Sequence, residues 1–99
     1  MWYAIISTDR QNSLENRKKC RPAHIARLEA LKEQGRLLIA GPHPAIDTEE
    51  PGDAGFTGSL VVAEFDSLIQ ARQWADEDPY IAGGVYADVV VKPFKVVLP

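Results

Sequence analysis

The chain is poor in the residues that bind metals or form disulfides, with one cysteine, one methionine and two histidines among 99 residues. Cys20 has no partner for an internal disulfide, and one Cys beside two His offers no zinc spacing. No metal site is expected, and the pattern fits a reducing, cytoplasmic compartment. Positive charge is not in surplus either. Eleven Lys plus Arg against fourteen Asp plus Glu give a formal net charge of -3, which argues against a phosphate-backbone partner such as nucleic acid. Runs of about eighteen apolar residues are missing, and MWYAIISTDR turns polar too soon for a signal-peptide apolar region, so no membrane partner is expected. The chain also lacks a glycine-rich strand-to-helix turn, because Gly41-Pro42 leads into a loop and Gly83-Gly84 into a strand. No nucleotide or other cofactor is expected.

What is present is an ordinary globular balance, 45% hydrophobic and 25% charged, enough for one core and one domain over residues 1–99. A chain this short hides only roughly 60–70% of its unfolded surface, which places any pocket at an edge or between subunits. Residues 2–8, aromatic and β-branched, predict a first strand that is apolar on both faces and hence interior. Residues 14–19 have helical composition behind a weak start at Ser13, but Pro22 marks a kink or the beginning of the main helix, residues 22–34. There Ile25, Leu28 and Leu31 form an apolar stripe that His24 shares, and Gly35 closes the helix. Residues 36–40 predict a second strand ended by Gly41-Pro42-His43-Pro44. A long acidic, glycine-containing loop follows to Gly58. Residues 59–65 predict a third strand with Ser59, Val61, Ala63 and Phe65 on one face. Ser67 and Gln70 form a capping box for a second helix, where Leu68, Ala71, Trp74 and Ala75 make an apolar stripe that Asp78 continues. Residues 85–98 predict a long final strand interrupted by Pro93. The resulting order, βαββαβ, is the α+β split βαβ pattern of ferredoxin-like domains, a four-stranded antiparallel sheet with both helices on one face. The other face needs a cover, and a homodimer, sheet against sheet or by exchange of the final strand, supplies one.

His24 and Asp78 are the two polar residues on helix faces that otherwise read as buried, and burial demands partners for them. Antiparallel helices over one sheet bring the start of the first to the end of the second. An imidazole oriented by a carboxylate is a general acid or base near neutral pH. The plainer reading is a structural brace. Arg21 stands where it can hold an anionic substrate group near a helix start, Ser59 can donate a hydrogen bond into a pocket, and Tyr80 can cap it with its hydroxyl. His43 reads as an exposed loop histidine. Cys20 lacks the His and Asn that thiol catalysis requires.

Arg21-Pro22-x-His24, Gly35-Arg36-Leu37-Leu38-x-Ala40-Gly41-Pro42, Gly55-Phe56-Thr57-Gly58-Ser59, Trp74-Ala75-Asp76-x-Asp78-Pro79-Tyr80 and Gly84-Val85-Tyr86 with Val91-Lys92-Pro93-Phe94 occur in this order. Together they resemble the YciI family over nearly the whole chain. The resemblance implies a ferredoxin-like fold of the dimeric α/β-barrel kind and a histidine/aspartate-centred site, which falls on His24 and Asp78. One branch of that family includes a dehydrochlorinase acting on a chlorinated hydroxyhydroquinone, and muconolactone isomerases share the wider fold. This chain is more similar to the short intracellular members with no assigned substrate. The expectation is a cofactor-free lyase or isomerase acting on a small organic acid or phenolic metabolite. His24 and Asp78 are its acid/base pair, and Arg21, Ser59 and Tyr80 its binding residues. The alternative is a non-catalytic dimeric module that binds a small ligand in the same cleft.

Overall fold

A computed structural model describes residues 1–99. Strand β1 (Trp2–Asp9) leads into helix α1 (Leu14–Glu33), followed by β2 (Leu37–Pro44), a single 3-10 turn (Gly52–Ala54), β3 (Phe56–Glu64), α2 (Leu68–Asp76), the one-turn helix α3 (Pro79–Ala82) and β4 (Tyr86–Phe94). The strands form one antiparallel sheet in the order β2-β3-β1-β4. β1 is therefore interior, with Ile5 opposite Val61 on one side and Val91 on the other, which is why its sequence is apolar on both faces. Tyr3 and Ile5 of β1 and Val61 and Ala63 of β3 pack with Leu28 and Leu31 of α1 and Ala71 and Ala75 of α2 in one core. This is the expected ferredoxin-like α+β arrangement.

Several boundaries differ from the expectation, each for a local reason. Pro22 neither starts nor breaks the first helix, because α1 runs unbroken through it. The ring lies on the exposed side, where water can satisfy a carbonyl that loses its helical N–H. Likewise β2 does not stop at Ala40 but continues through Pro42 to Pro44. It is an edge strand, and proline's missing N–H costs little where no further strand requires it. β3 begins at Phe56, ahead of the expected Ser59, so the preceding loop is shorter than its composition implies and is closed at its neck by the Ala45 N–H donating to the Gly55 carbonyl. The second helix ends at Asp76. Asp78 therefore is not its last inward residue but the N-cap of α3, a turn the expected order lacked. Leu68, placed in the apolar stripe of α2, is exposed. The last strand ends at Phe94, and residues 95–99 join no sheet.

Opposite the helices the sheet presents a second apolar surface. Ile6, whose β1 neighbour Ile5 faces the core, is flanked by Leu60 and Val90, and Ala4 by Val62, which in turn lies opposite Ile39. Ile6, Ile39, Val90 and Phe94 are exposed there.

One glycine in this sheet has no substitute. A β-carbon on Gly58 would run into the Ser7 carbonyl oxygen on β1, a backbone atom that cannot swing aside. Gly58→Ala is expected to cost stability at the upper end of the roughly 1–3 kcal/mol of overpacking substitutions. Urea unfolding should show a lower midpoint with an unchanged slope.

Candidate active site

Arg17, His24, Leu28 and Leu31 are the buried residues of α1, and their spacing puts them on one face over the sheet. His24 meets Asp78 there. The imidazole Nδ1 is 2.9 Å from each Asp78 carboxylate oxygen, although the two residues are 54 apart in the chain. Asp78 has a second duty, since its Oδ1 accepts the Tyr80 N–H at 2.9 Å and caps α3, with Pro79 at the first helical position. A carboxylate accepts and does not donate, so the pairing assigns the proton to Nδ1 and leaves Nε2 with a free lone pair. Cap and pair together fix the ring. The Tyr80 ring stacks on it at 3.9 Å between centroids and 8° from parallel, and Tyr86 meets it edge-on at 6.5 Å.

Beside this pair lies a group that the sequence reading missed. Arg17 donates from Nε to Asp9 Oδ2 at 2.6 Å and from Nη2 to Asp9 Oδ1 at 2.9 Å, and Nη2 also reaches the Gly58 carbonyl and Ser59 Oγ, each at 3.0 Å. The Ser13 hydroxyl completes the Asp9 shell at 2.7 Å. Ser13 is the N-cap of α1, but its side chain caps no backbone N–H. The ion pair is almost fully enclosed, its two side chains 8% and 2% exposed. All of these bonds are made through Nε and Nη2 of the guanidinium. Burial alone works against the Arg17 charge, and the Asp9 hydrogen bonds and charge overcome it, so its pKa lies above the usual value. The guanidinium also sits 5.2 Å from the ring centroids of Tyr80 and Phe56. A clue was present, because Arg17 is seven residues before His24, on the same helical stripe. Pro22 between them concealed it.

These side chains open on a cavity of about 190 Å3 lined by Arg17, Arg21, His24, Ser59 and Tyr80 with Ile25, Leu28, Ala40, Pro42 and Val61 among its walls. That is below the roughly 300–1,000 Å3 of pockets for drug-sized ligands. Of the sequence candidates, His24, Arg21, Ser59 and Tyr80 line it, and Asp78 supports it from behind His24. Arg21 is exposed and has no hydrogen-bond or ion-pair partner. It also borders a second hollow with Lys18, Glu50 and Asp53, to which Arg17, Pro42 and Tyr80 are common. His43 is exposed on β2 and does not line the cavity. Cys20 packs against Gly83, where its sulfur would meet any added β-carbon. No three His, Cys, Asp or Glu side chains are grouped so as to hold a metal ion.

Fold and cavity define a small α+β domain of the ferredoxin-like class with an enclosed histidine–carboxylate pair facing a small pocket. The chain belongs to the YCII-related domain family, whose model matches residues 1–95. It is 60% identical to Protein YciI of Escherichia coli over 97 residues, which is 98% of this chain and 99% of that one. An uncharacterized protein of Haemophilus influenzae is 56% identical over the same shares. Among solved structures, the 5-chloro-2-hydroxyhydroquinone dehydrochlorinase TftG of Burkholderia phenoliruptrix, in complex with 2,5-dihydroxybenzoquinone, superposes with a TM-score of 0.84 at 30% identity. The match covers 96% of this chain and 94% of that one. The neighbour is thus a lyase that binds a small molecule. No helix of this chain is long and apolar enough to cross a membrane.

The site carries a pH signature of its own. Burial pushes the Tyr86 phenol up to about 12, against the lowering effect of Ser59 hydrogen bonding, and burial also raises Tyr80 against the nearby Arg17 and Arg21 charges. A raised phenol pKa means that the folded chain holds the proton that the unfolded chain releases. The Tyr86 contribution, about 2–3 kcal/mol for a shift of this size, is therefore complete below pH of about 10 and is lost as pH rises from there through about 12. Melting temperature should fall over that window. Tyr86→Phe should flatten the fall, which thermal melts across the pH series will show.

Proposed function

We propose that the protein is a cofactor-free lyase or isomerase in which His24 Nε2 takes a proton from carbon next to a carbonyl or phenolic group of a small organic acid or phenolic metabolite. The observation that carries this reading is the enclosed His24–Asp78 pair facing a cavity of about 190 Å3. Asp78 fixes the tautomer and stabilises the imidazolium that forms, as a carboxylate partner does for a general base. Arg21, unpaired at the mouth, takes an anionic substituent, and Ser59 and Tyr80 bound the substrate inside. The electron pair of the broken C–H bond enters a C=C bond. In a lyase a leaving group departs from the next carbon, and in an isomerase the imidazolium returns the proton at another carbon. Support for the lyase course comes from the structural neighbour, named as a dehydrochlorinase. The protein works as one 1–99 domain, and the single Cys20 favours the cytoplasm as its compartment.

The test begins with a thermal-shift screen of wild type and His24→Gln against small carboxylates, phenols and lactones, followed by turnover assays of the compounds that bind. Glutamine keeps a donor for Asp78 and removes the base. Ligands should raise the wild-type melting temperature, and turnover should fall at least about 100-fold in the variant. Binding without turnover in the wild type would favour a small-ligand-binding module. A variant that only melts earlier, with no ligand for either form, would leave the pair as a brace.

We also propose a homodimer formed through the sheet face opposite the helices. Ile6, Ile39, Val90 and Phe94 leave an apolar surface there of the kind that marks an interface. Sedimentation should give twice the chain mass. Ile6→Lys and Val90→Lys together should give a monomer, and a wild-type monomer at micromolar concentration would remove the proposal.

A further inference from the structure

One end of the sheet carries apolar surface that neither the core nor the cavity uses. There Trp2 of β1 lies between Glu64 of β3 and Phe94 of β4. Phe65, next in the chain after β3, donates its N–H to the Met1 carbonyl, and α2 starts soon after at Leu68. The start of α2 and the end of β4 are therefore neighbours. Between them lies a groove of about 360 Å3 lined by Leu68, Ile69, Arg72, Gln73 and Val91. Its apolar walls are open to water, with Leu68 46% and Ile69 70% exposed. The segment that leaves β4 is equally uncovered, with Val97 78% and Leu98 82% exposed and residues 95–99 in no sheet. The chain thus carries an open apolar groove and an unattached apolar segment at the same corner, the kind of surface that marks an interface.

We propose that the segment following β4 docks in this groove on a second copy of the chain, and that the second copy's segment docks in return. β4 is an edge strand, so its outer backbone groups have no strand partner, and the Val89 carbonyl there accepts from Arg72 of α2 instead. Alternate residues of a strand turn their N–H and C=O to the same edge. Those of Val91 therefore face outward too, and so would those of Val97 once the segment extends β4. Side chains alternate likewise. Val91 lies opposite the core residue Ile5 and packs against the core, so it faces the helices, and Val97, at the same parity, would face them as well. Two β4 strands set antiparallel, edge to edge about Phe94, place Val97 of each copy beside Val91 of the other, in its groove. Pro93 removes a donor from this edge but leaves those of Val91 and Val97. Two-fold symmetry then fills both grooves and covers both edges at once. The occupant is not the chain's own segment, which would have to reverse just after Phe94 to reach Val91. Lys95-Val96-Val97-Leu98 contains none of the glycine, asparagine or aspartate of tight turns, and the β-branched Val96 and Val97 favour extended backbone. Val96 and Leu98 fall on the other face, where they prolong the apolar surface of Ile6, Val90 and Phe94. The contact is separate from the sheet-face dimer and from the role of His24. With so few residues a side it buries less than the roughly 1,200 Å2 of a standard interface, so it forms at higher concentration and doubles whatever assembly the other contacts produce.

Disulfide trapping in the full chain tests the pairing, with Cys20→Ser to remove the one native thiol. Ile69→Cys and Val97→Cys are made in separate chains, one of them carrying a mass tag, then mixed and oxidised. The two should join in a covalent heterodimer, whereas Val97→Cys mixed with Asp47→Cys, on an exposed loop at the other end of the sheet, should give far less. Sedimentation gives a readout without crosslinking. The wild-type mass should double between micromolar and millimolar protein, from whichever assembly it has at micromolar. Ile69→Lys or Val97→Lys should raise the concentration of half-assembly at least about 10-fold, as the loss of one buried aliphatic side chain implies. Both positions are exposed in the single chain, and thermal melts establish that each variant is folded. An intrachain disulfide in a chain carrying both cysteines, with no heterodimer from the mixture, would give the groove to the chain's own segment and overturn the proposal. A mass that stays constant up to millimolar protein, or that doubles equally in both lysine variants, would overturn it as well.

Discussion

The ion pair between Arg17 and Asp9 joins two consecutive elements and, through the same guanidinium, a third that is distant in the chain. Asp9 is the last residue of β1, Arg17 lies in the first turns of α1, and the same guanidinium reaches Gly58 and Ser59 on β3. Two enclosed charges need good mutual geometry and satisfied hydrogen bonds, because desolvation otherwise outweighs their attraction. The contact at this corner is bidentate, and the Ser13 hydroxyl also donates to Asp9. The start of α1 is consequently set by β1 rather than by capping of its own N–H groups.

A second economy appears at Asp78, where one carboxylate caps α3 and orients His24. The helix turn and the imidazole are thereby coupled. Movement of α3 would break the Nδ1 contact and carry away the Tyr80 ring that stacks on the imidazole. Gly83 at the end of that turn has no room for a β-carbon beside Cys20, so the turn is also held against α1. Around the cavity, charge is therefore arranged in two ways, enclosed and paired at Arg17, exposed and unpaired at Arg21.

Much of this was legible in the chain. The apolar run in residues 2–8 identified an interior strand and the alternation in residues 59–65 a third strand, and the Ser67-Gln70 capping box marked the start of α2, where the Ser67 hydroxyl does accept the Gln70 N–H. His24 and Asp78 stood out because helical periodicity put polar groups where apolar ones belonged. The errors also share a cause. Pro22, Pro42 and Pro44 have local preferences that are overridden where a helix face meets water or a strand lies at a sheet edge. Arg17 is not legible from its place beside Lys18 and Lys19, because the acid it meets, Asp9, lies on another element.

By itself, then, the sequence determined what local stereochemistry and periodicity can encode: the order of strands and helices, the ferredoxin-like class, and two polar side chains directed inward. Only the tertiary structure decided which groups meet. His24 and Asp78 are 54 residues apart, and Arg17 and Ser59 are 42 apart. Charge pairing and cavity shape depend on distances in space, and no spacing along the chain carries those distances until the sheet has fixed how α1, α3 and β3 lie against one another.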